Sequence, residues 1–189
     1  MSEIYEPAED SYLLNETLKE FLKNKDKNIK ILDIGSGSGI QAKTCKKLGF
    51  KNILTADINK EAVKYLKKQG FKSIYSNLFS RIDKKQKFDL IIFNPPYLPE
   101  DKYDEEKDTT AGKRGYELIL KFLRQAKLHL NKEGVILLLF SSLSKPEIIN
   151  DYATKMKYKL KLLKKQKLFF EEIYVYSLLS FYPEKKATI

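Results

Sequence analysis

Apolar segments of strand length alternate along this chain with amphipathic segments of helix length, and this alternation limits the possible folds more than any other feature. Such an order is typical of α/β proteins, in which helices connect and cover the parallel strands of a sheet. A chain of 189 residues is long enough for one well-buried domain and too short for two ordinary ones. We therefore predict one α/β domain over residues 1–189, with helices on both faces of the sheet.

The spacing of apolar residues and turn formers predicts seven strands and five helices. The strands are predicted at residues 29–34, 52–56, 73–75, 88–93, 134–140, 158–170 and 173–181. The helices are predicted at residues 10–22, 41–48, 61–69, 116–130 and 146–155, with Asp10 as the cap of the first. The last two strands have so short a connection that they must be antiparallel. The sheet is therefore predicted to be mostly parallel, with an antiparallel end.

Three segments lie outside these elements or at their margins. Residues 95–115 are polar and rich in turn formers, so we predict a surface loop that carries function. Residues 183–189 are predicted to be a frayed tail. The tyrosines and phenylalanines near the carboxyl end are expected to pack within the sheet.

A glycine cluster, Gly35, Gly37 and Gly39, follows the first predicted strand. Glycines let the backbone approach a ligand closely, and the start of the next helix offers unpaired amide donors. Asp57, about 20 residues on at the end of the second strand, is placed to accept hydrogen bonds from a ribose diol. This pattern fits a nicotinamide cofactor, S-adenosylmethionine, or a tight turn that binds nothing.

Asp33 favours S-adenosylmethionine among these possibilities. Its carboxylate, just before the glycines, is placed to meet the positively charged amino group that methionine carries, whereas a pyrophosphate would be repelled. The antiparallel end of the predicted sheet also differs from the two repeated parallel halves of a dinucleotide-binding fold. We predict no metal site.

The tetrapeptide Asn94, Pro95, Pro96 and Tyr97 ends the fourth strand, where open α/β sheets place their ligands. The Asn94 side-chain oxygen and the Pro95 carbonyl can accept the two N–H bonds of a planar amide or amine. The proline rings stiffen that carbonyl. Tyr97 can supply an apolar wall for the flat group. The pattern predicts N-methylation of a glutamine amide or an adenine, although two prolines can also simply end a strand.

The formal net charge of +11 raises the question of a nucleic-acid partner. All but three of the 36 basic residues are lysines, whereas base and phosphate recognition favour arginine. Solvated faces are the simpler interpretation, although the cluster Lys164, Lys165 and Lys167 could face RNA or an acidic partner. With no apolar run of membrane-spanning length and with Cys45 as the lone cysteine, we predict a cytoplasmic protein with no membrane contact.

The sequence resembles the HemK-like protein-glutamine methyltransferases, in their short archaeal and eukaryotic form. The resemblance spans nearly the whole chain and is carried by several segments in order. These are the opening Tyr5, Glu6, Pro7, Ala8, Glu9, Asp10, Ser11; residues 33–39; Asp57, Ile58 and Asn59; the tetrapeptide; and residues 111–117. The tetrapeptide alone is shared with adenine methyltransferases, and the opening segment makes the match more specific.

The resemblance implies a Rossmann-like class I methyltransferase fold that binds S-adenosylmethionine and releases S-adenosylhomocysteine. It implies that residues 1–25, including Ser11, cover the cofactor, that Asp57 binds its ribose, and that Ile58 and Asn94 also contribute to the cofactor site. The position that contacts adenine is Asn77 followed by Leu78, where the family carries Asp.

The implied substrate is the glutamine of a Gly-Gly-Gln motif in a class 1 translation termination factor. The implied partner is a small zinc-binding activator protein. Methylation of protein lysine, of adenine N6 in DNA or RNA, and a cofactor-binding adaptor without catalysis stay open as alternatives.

Overall fold

The computed structural model describes residues 4–97 and 115–180, and all strands within these ranges form one sheet. Its order is β3-β2-β1-β4-β5-β7-β6. The strands are β1 (Ile31–Ile34), β2 (Ile53–Asp57), β3 (Lys72–Tyr75), β4 (Phe88–Phe93), β5 (Leu130–Ser141), β6 (Tyr158–Lys167) and β7 (Glu172–Ser180). The seven predicted strands are confirmed.

Parallel pairing joins β3, β2, β1, β4 and β5, whereas β7 is antiparallel to both β5 and β6. The predicted mostly parallel sheet with an antiparallel strand near its end is therefore confirmed. The strand order reverses between β1 and β4, which follow one another in space but not in sequence. Such a reversal opens a crevice at the carboxyl ends of the two strands, where open α/β sheets bind ligands.

In the described part of the chain, five α-helices accompany the sheet: α1 (Glu9–Leu22), α2 (Ile40–Lys47), α3 (Lys60–Lys68), α4 (Glu117–Ala126) and α5 (Pro146–Lys155). The prediction that Asp10 caps α1 is wrong. The helix begins one residue earlier, at Glu9, after Ala8 in extended conformation and without a side-chain cap. Asp10 is buried in the first turn, where its carboxylate is held by contacts outside the helix.

Hydrophobic cores lie on both faces of the sheet, because side chains alternate between the faces along each strand. In β4, Ile91 and Phe93 face the core that packs against α4 and α5, whereas Leu90 and Ile92 face the core formed with α1 and α2. Cys45 of α2 is buried in the second core, as a small apolar residue. The helices on both faces are thus explained by strands that are apolar on both sides.

Several predicted boundaries differ from the structure. The helix α4 stops at Ala126, and a single 3-10 turn leads into β5, which begins at Leu130 rather than Gly134 because Leu130 already pairs with Phe88. The strand β6 ends at Lys167. Phe169 and Phe170 therefore lie in a turn and are exposed, which corrects the expectation that the phenylalanines near the carboxyl end pack in the sheet.

Most of the predicted surface loop, at residues 98–114, and the predicted tail at residues 183–189 lie outside the described residues. Within residues 4–97 and 115–180, no helix combines the length and apolar character that a membrane crossing requires.

Candidate active site

The glycine loop and the tetrapeptide lie side by side at the carboxyl edge of the sheet. Ile34 pairs with Phe93 at the ends of β1 and β4, so each chain leaves its strand at the same level. A Cβ added to Gly35 would stand 3.4 Å from the Phe93 ring and 3.9 Å from the Asn94 backbone oxygen. Two segments predicted to act on a cofactor and on a substrate are therefore neighbours.

The glycine loop has a backbone that other residues would adopt only with strain. Gly35, Gly37 and Gly39 all have positive φ, a region that costs L side chains energy. Gly39 also has no room for a side chain, because an added Cβ would lie 2.3 Å from Leu66 Cδ2. Ser36 within this loop has a buried hydroxyl oxygen without a hydrogen-bond partner among the described residues. That orphaned group was not predicted, and it fits a ligand that binds to the loop.

Asp57 ties the end of β2 to the glycine loop. Its Oδ2 accepts a hydrogen bond from the Gly37 amide at 2.7 Å, and its Oδ1 accepts one from the Asn59 amide at 2.7 Å. Burial raises the pKa of the Asp57 carboxyl, and these backbone hydrogen bonds act in the opposite direction. The carboxylate is thus fixed beside the loop by backbone amides.

The predicted adenine-contacting residues lie next to Asp57. The Ser76 amide donates to the Asp57 carbonyl at 2.8 Å, so the chain after β3 continues along the same edge. Asn77 is exposed and Leu78 is buried, and Ile58 is 46% exposed. Leu78 has φ +50°, a strained conformation for a residue with a branched side chain. Strained residues cluster at ligand sites, so this conformation supports the predicted position.

Asp33 is buried in β1, below the glycine loop. Its Oδ2 accepts a hydrogen bond from the Ala42 amide in the first turn of α2, at 3.2 Å. Burial is the main cause that raises the pKa of the carboxyl from its ordinary value to about 7. The Ala42 amide acts in the opposite direction, and the nearby Asp57 contributes to the increase. A buried carboxyl with such a pKa would be stabilised in its charged form by a cation.

The Asn94 side chain is anchored by one end. Its Nδ2 donates a hydrogen bond to Asp10 Oδ2 at 2.8 Å and lies 3.4 Å from the Ser11 hydroxyl. Its Oδ1 is buried and has no hydrogen-bond partner among the described residues. Because the amide nitrogen is held by a carboxylate, which only accepts, the amide cannot rotate by half a turn without losing that bond. The acceptor oxygen therefore keeps a fixed direction.

Asp10 is itself held in place by the opening segment. Its Oδ1 accepts hydrogen bonds from the Tyr5 hydroxyl at 3.0 Å and from the Ser11 amide at 2.5 Å. A Cβ added to Gly37 would lie 3.8 Å from the Tyr5 Cβ, so the segment also passes over the glycine loop. Sequence reasoning missed Asp10 and Tyr5 as site residues, although the opening segment that contains both carried the family resemblance.

The rest of the tetrapeptide is fixed at the end of β4. Pro95 is buried, Pro96 is exposed, and Tyr97 is half-buried and packs against both cores. The Ser144 hydroxyl donates to the Tyr97 backbone oxygen at 2.8 Å. Burial raises the pKa of the Tyr97 hydroxyl, with a further contribution from Asp10, so this group stays protonated.

The basic residues proposed for nucleic acid are largely engaged elsewhere. Lys164 Nζ lies 3.1 Å from carboxylate oxygens of both Glu16 and Glu20. Lys165 Nζ lies 3.1 Å from Glu172. These ion pairs support the simpler interpretation of the lysine cluster as a solvated, locally neutralised face.

Comparison with protein families identifies the chain as a methyltransferase. The family model described as the methyltransferase small domain matches residues 10–165. The chain is 37% identical over 185 residues to a protein of Methanocaldococcus jannaschii, with 92% of this chain and 90% of the relative covered. The name of that relative, protein N5-glutamine methyltransferase, is itself provisional. The chain is therefore an enzyme that uses S-adenosylmethionine.

Two further proteins are similar to this chain. A release factor glutamine methyltransferase of Fusobacterium nucleatum is 36% identical over 106 residues, which cover 52% of this chain and 30% of that protein. The structure of the E. cuniculi Mtq2–Trm112 complex, described as responsible for methylation of the termination factor eRF1, matches with a TM-score of 0.77 and 22% identity. It covers 94% of this chain and 98% of that one, and at this identity it confirms the fold. The chain belongs to the methyltransferase small domain family, among the HemK-like protein N5-glutamine methyltransferases.

Proposed function

We propose that this enzyme transfers a methyl group to the side-chain amide nitrogen of the glutamine in a Gly-Gly-Gln motif of a class 1 termination factor. The observation that carries the proposal is the Asn94 side chain, whose nitrogen is anchored to Asp10 at 2.8 Å while its buried Oδ1 has no described partner. A buried acceptor without a donor is costly unless a ligand satisfies it. The N–H of a substrate amide is such a donor.

The chemistry requires positioning more than acid–base catalysis. An amide nitrogen is a poor nucleophile, because its lone pair is delocalised into the carbonyl. Two acceptors, Asn94 Oδ1 and the Pro95 carbonyl, would hold its two N–H bonds and aim one face of the nitrogen at the methyl donor. S-adenosylmethionine supplies an activated methyl group when bound. The nitrogen becomes cationic as its new bond to carbon forms, and it then loses a proton, so no base is needed beforehand.

Substrate binding requires local movement at this site. Asn94 Oδ1 has almost no surface open to solvent, so a substrate amide reaches it only after covering side chains shift. Tyr97, which is half-buried beside Asn94, would then form an apolar wall against the flat amide. The Ser144 hydroxyl holds the Tyr97 backbone while this occurs.

The cofactor would bind along the same edge. The orphaned Ser36 hydroxyl and the open glycine loop fit a ligand at Gly35, Gly37 and Gly39. Asp57 is fixed beside that loop by the Gly37 amide, where its carboxylate can accept from ribose hydroxyls. Ser11, Ile58, Asn77 and Leu78 complete the proposed contacts.

Asp33 predicts that cofactor binding strengthens with rising pH. Its pKa of about 7 lies above the ordinary 3.8. The group therefore contributes to the stability of the fold at low pH, and this contribution is lost as the pH rises from 3.8 to about 7. An ammonium group beside it would favour the charged form. Below pH 7, the dissociation constant of S-adenosylmethionine should therefore decrease about tenfold for each unit by which the pH is raised. Calorimetry from pH 5.5 to 7.5 measures this.

The Asp33→Asn variant is the control for that measurement. It cannot ionise, so its dissociation constant should change little over the same interval, and the ligand amine stays largely protonated there. The same slope in both proteins would exclude Asp33 as the partner of the amino group.

The proposed partner is a small zinc-binding activator protein, for which the E. cuniculi complex of a methyltransferase with Trm112 is the supporting observation. Coexpression with such a protein from the same genome should give a stoichiometric complex and a higher yield of soluble enzyme. Elution as separate species in size-exclusion chromatography would contradict this.

Adenine N6 in nucleic acid is the second candidate substrate, because the same pair of acceptors can hold its amino group. The enzyme with its activator should transfer labelled methyl from S-adenosylmethionine to the purified termination factor, and peptide mass spectrometry should locate the methyl on the glutamine. A Gln→Ala factor should receive none. If the enzyme transferred labelled methyl to an oligonucleotide and none to the factor, the proposal would be overturned in favour of adenine.

A further inference from the structure

The turn between β6 and β7 carries two adjacent exposed aromatic rings. Phe169 is 91% exposed and Phe170 is 84% exposed. Their rings meet edge to face with centroids 4.6 Å apart, and a hydrogen bond from the Leu168 amide to the Glu171 carbonyl closes the turn. Paired exposed aromatic rings of this kind typically mark an interaction surface.

This aromatic turn lies on the same edge of the sheet as Asn94. The strand β6 is antiparallel to β7, which is antiparallel to β5, so β6 runs parallel to β4 and ends at the same edge. Two hydrogen bonds connect the turn to the tetrapeptide through the segment after β5. The Glu172 amide donates to Ser142 Oγ at 3.0 Å, and two residues later Ser144 Oγ donates to the Tyr97 carbonyl at 2.8 Å.

Glu171 of the turn also acts electrostatically on Tyr97. The charge of Glu171 contributes to the raised pKa of Tyr97, after burial and Asp10. One carboxylate oxygen of Glu171 is buried without a partner among the described residues. The turn therefore lies at the edge of the sheet that carries Asn94, and a protein that delivers a side chain to Asn94 must approach along this edge.

The charges beside the rings favour a protein over a nucleic acid. Exposed aromatic rings can stack on bases, but such sites combine the rings with a basic groove. Here the two phenylalanines are followed at once by Glu171 and Glu172, and the nearby Lys165 is already paired with Glu172 at 3.1 Å. The Glu171 carboxylate makes no ion pair among the described residues, and its charge would repel a phosphate backbone.

We propose that Phe169 and Phe170 form a docking surface for the protein substrate, which they contact through an apolar patch outside the reacting residue. The inference rests on the proposed function, because it assumes that the substrate is a folded protein. Each ring would bury roughly 150–250 Å² on docking. The contact would raise affinity for the intact factor without changing how the amide is held.

The test compares two substrates with the Phe169→Ser/Phe170→Ser variant in complex with its activator. The substrates are the intact termination factor and a short peptide that contains Gly-Gly-Gln. The ratio of kcat/KM for the factor to kcat/KM for the peptide should fall about tenfold or more. The Phe169→Leu/Phe170→Leu variant retains apolar surface and should fall in between.

Leu128→Ser is the matched control. Leu128 is 66% exposed and precedes β5, so it lies at the opposite edge of the sheet, and its loss removes exposed apolar surface away from the site. The ratio should not change in this variant. Equal midpoints of thermal unfolding for all variants and the unmodified enzyme would show that the fold is retained.

Several results would overturn the inference. An unchanged ratio in the serine variant would exclude substrate docking. Loss of the activator, a change in oligomeric state, or weaker oligonucleotide binding, each with an unchanged ratio, would assign the rings to another occupant. If the unmodified enzyme methylates neither factor nor peptide, the proposed function fails and the inference fails with it.

Discussion

Replacing Asn94 by Ala should lower kcat on the termination factor by about 100- to 1000-fold, the size of effect seen when one preorganised hydrogen-bonding group is removed from a reaction centre. The variant loses the acceptor oxygen that we propose holds the substrate amide, and nothing else in the tetrapeptide can replace it. Binding of S-adenosylmethionine should change much less, since Asp33, Asp57 and the glycine loop are intact. Rapid-mixing kinetics with saturating cofactor and calorimetry together measure the two effects.

Asn94→Asp makes the test sharper, because it keeps the size and shape of the side chain. In the native enzyme the Asn94 nitrogen lies 2.8 Å from Asp10 Oδ2. A carboxylate at position 94 would place two negative charges at this distance, and the side chain would be driven away or protonated. We expect a loss at least as large as with alanine. Full activity in Asn94→Ala would refute the role of Oδ1.

The fold was predictable because its signals are local. The strands β1 and β4 are buried on both faces, so they appear as short continuous apolar runs, and the glycines after α2 and α3 mark where those helices end. The beginning of β5 was not predictable in this way. Leu130 joins the strand through its pairing with Phe88, more than 40 residues away, and no local pattern records that contact.

The candidate site was predictable in its parts but not in its connections. The glycine loop, Asp57 and Asn94 are each visible as residues that follow apolar runs. The hydrogen bond from Asn94 to Asp10 joins residues 84 positions apart. From sequence, Asp10 before an amphipathic helix is typical of a cap, and only the tertiary structure shows that its carboxylate turns towards β4.

In the aromatic turn, the sequence predicted strand structure that the protein does not have. Phe169 and Phe170 extend an apolar run, and β propensity places them in a strand. The strand ends earlier because the turn closes between Leu168 and Glu171, which leaves both rings outside the sheet. A pattern of apolar residues does not distinguish a ring that packs within the protein from one that is exposed on its surface.

Asp10→Ala should lower kcat about 10- to 100-fold, the usual effect of removing a group that orients a directly acting one. Asp10 does not touch the substrate in our proposal, so it is a positioning residue. Without its carboxylate, the Asn94 amide is free to rotate and its oxygen no longer has a fixed direction. Cofactor affinity should fall less than kcat, because the opening segment loses its hydrogen bonds to Asp10 while Asp57 and the glycine loop are intact. Glu9→Ala is the matched control, because it also removes an acidic residue from the first turn of α1 but contacts solvent.

Exchanging the two side chains distinguishes positioning from a general structural role. In the double variant Asp10→Asn/Asn94→Asp, the new amide at position 10 can donate to the new carboxylate at position 94, which still presents an acceptor oxygen to the substrate. Its activity should exceed that of Asn94→Asp alone, because the repulsion is gone and the hydrogen bond is restored in reverse. Asp10→Asn alone should be impaired, since its amide can donate to Asn94 Oδ1 and occupy the acceptor. If the double variant is no more active than Asn94→Asp, with equal thermal stability, the two residues do not act as a pair.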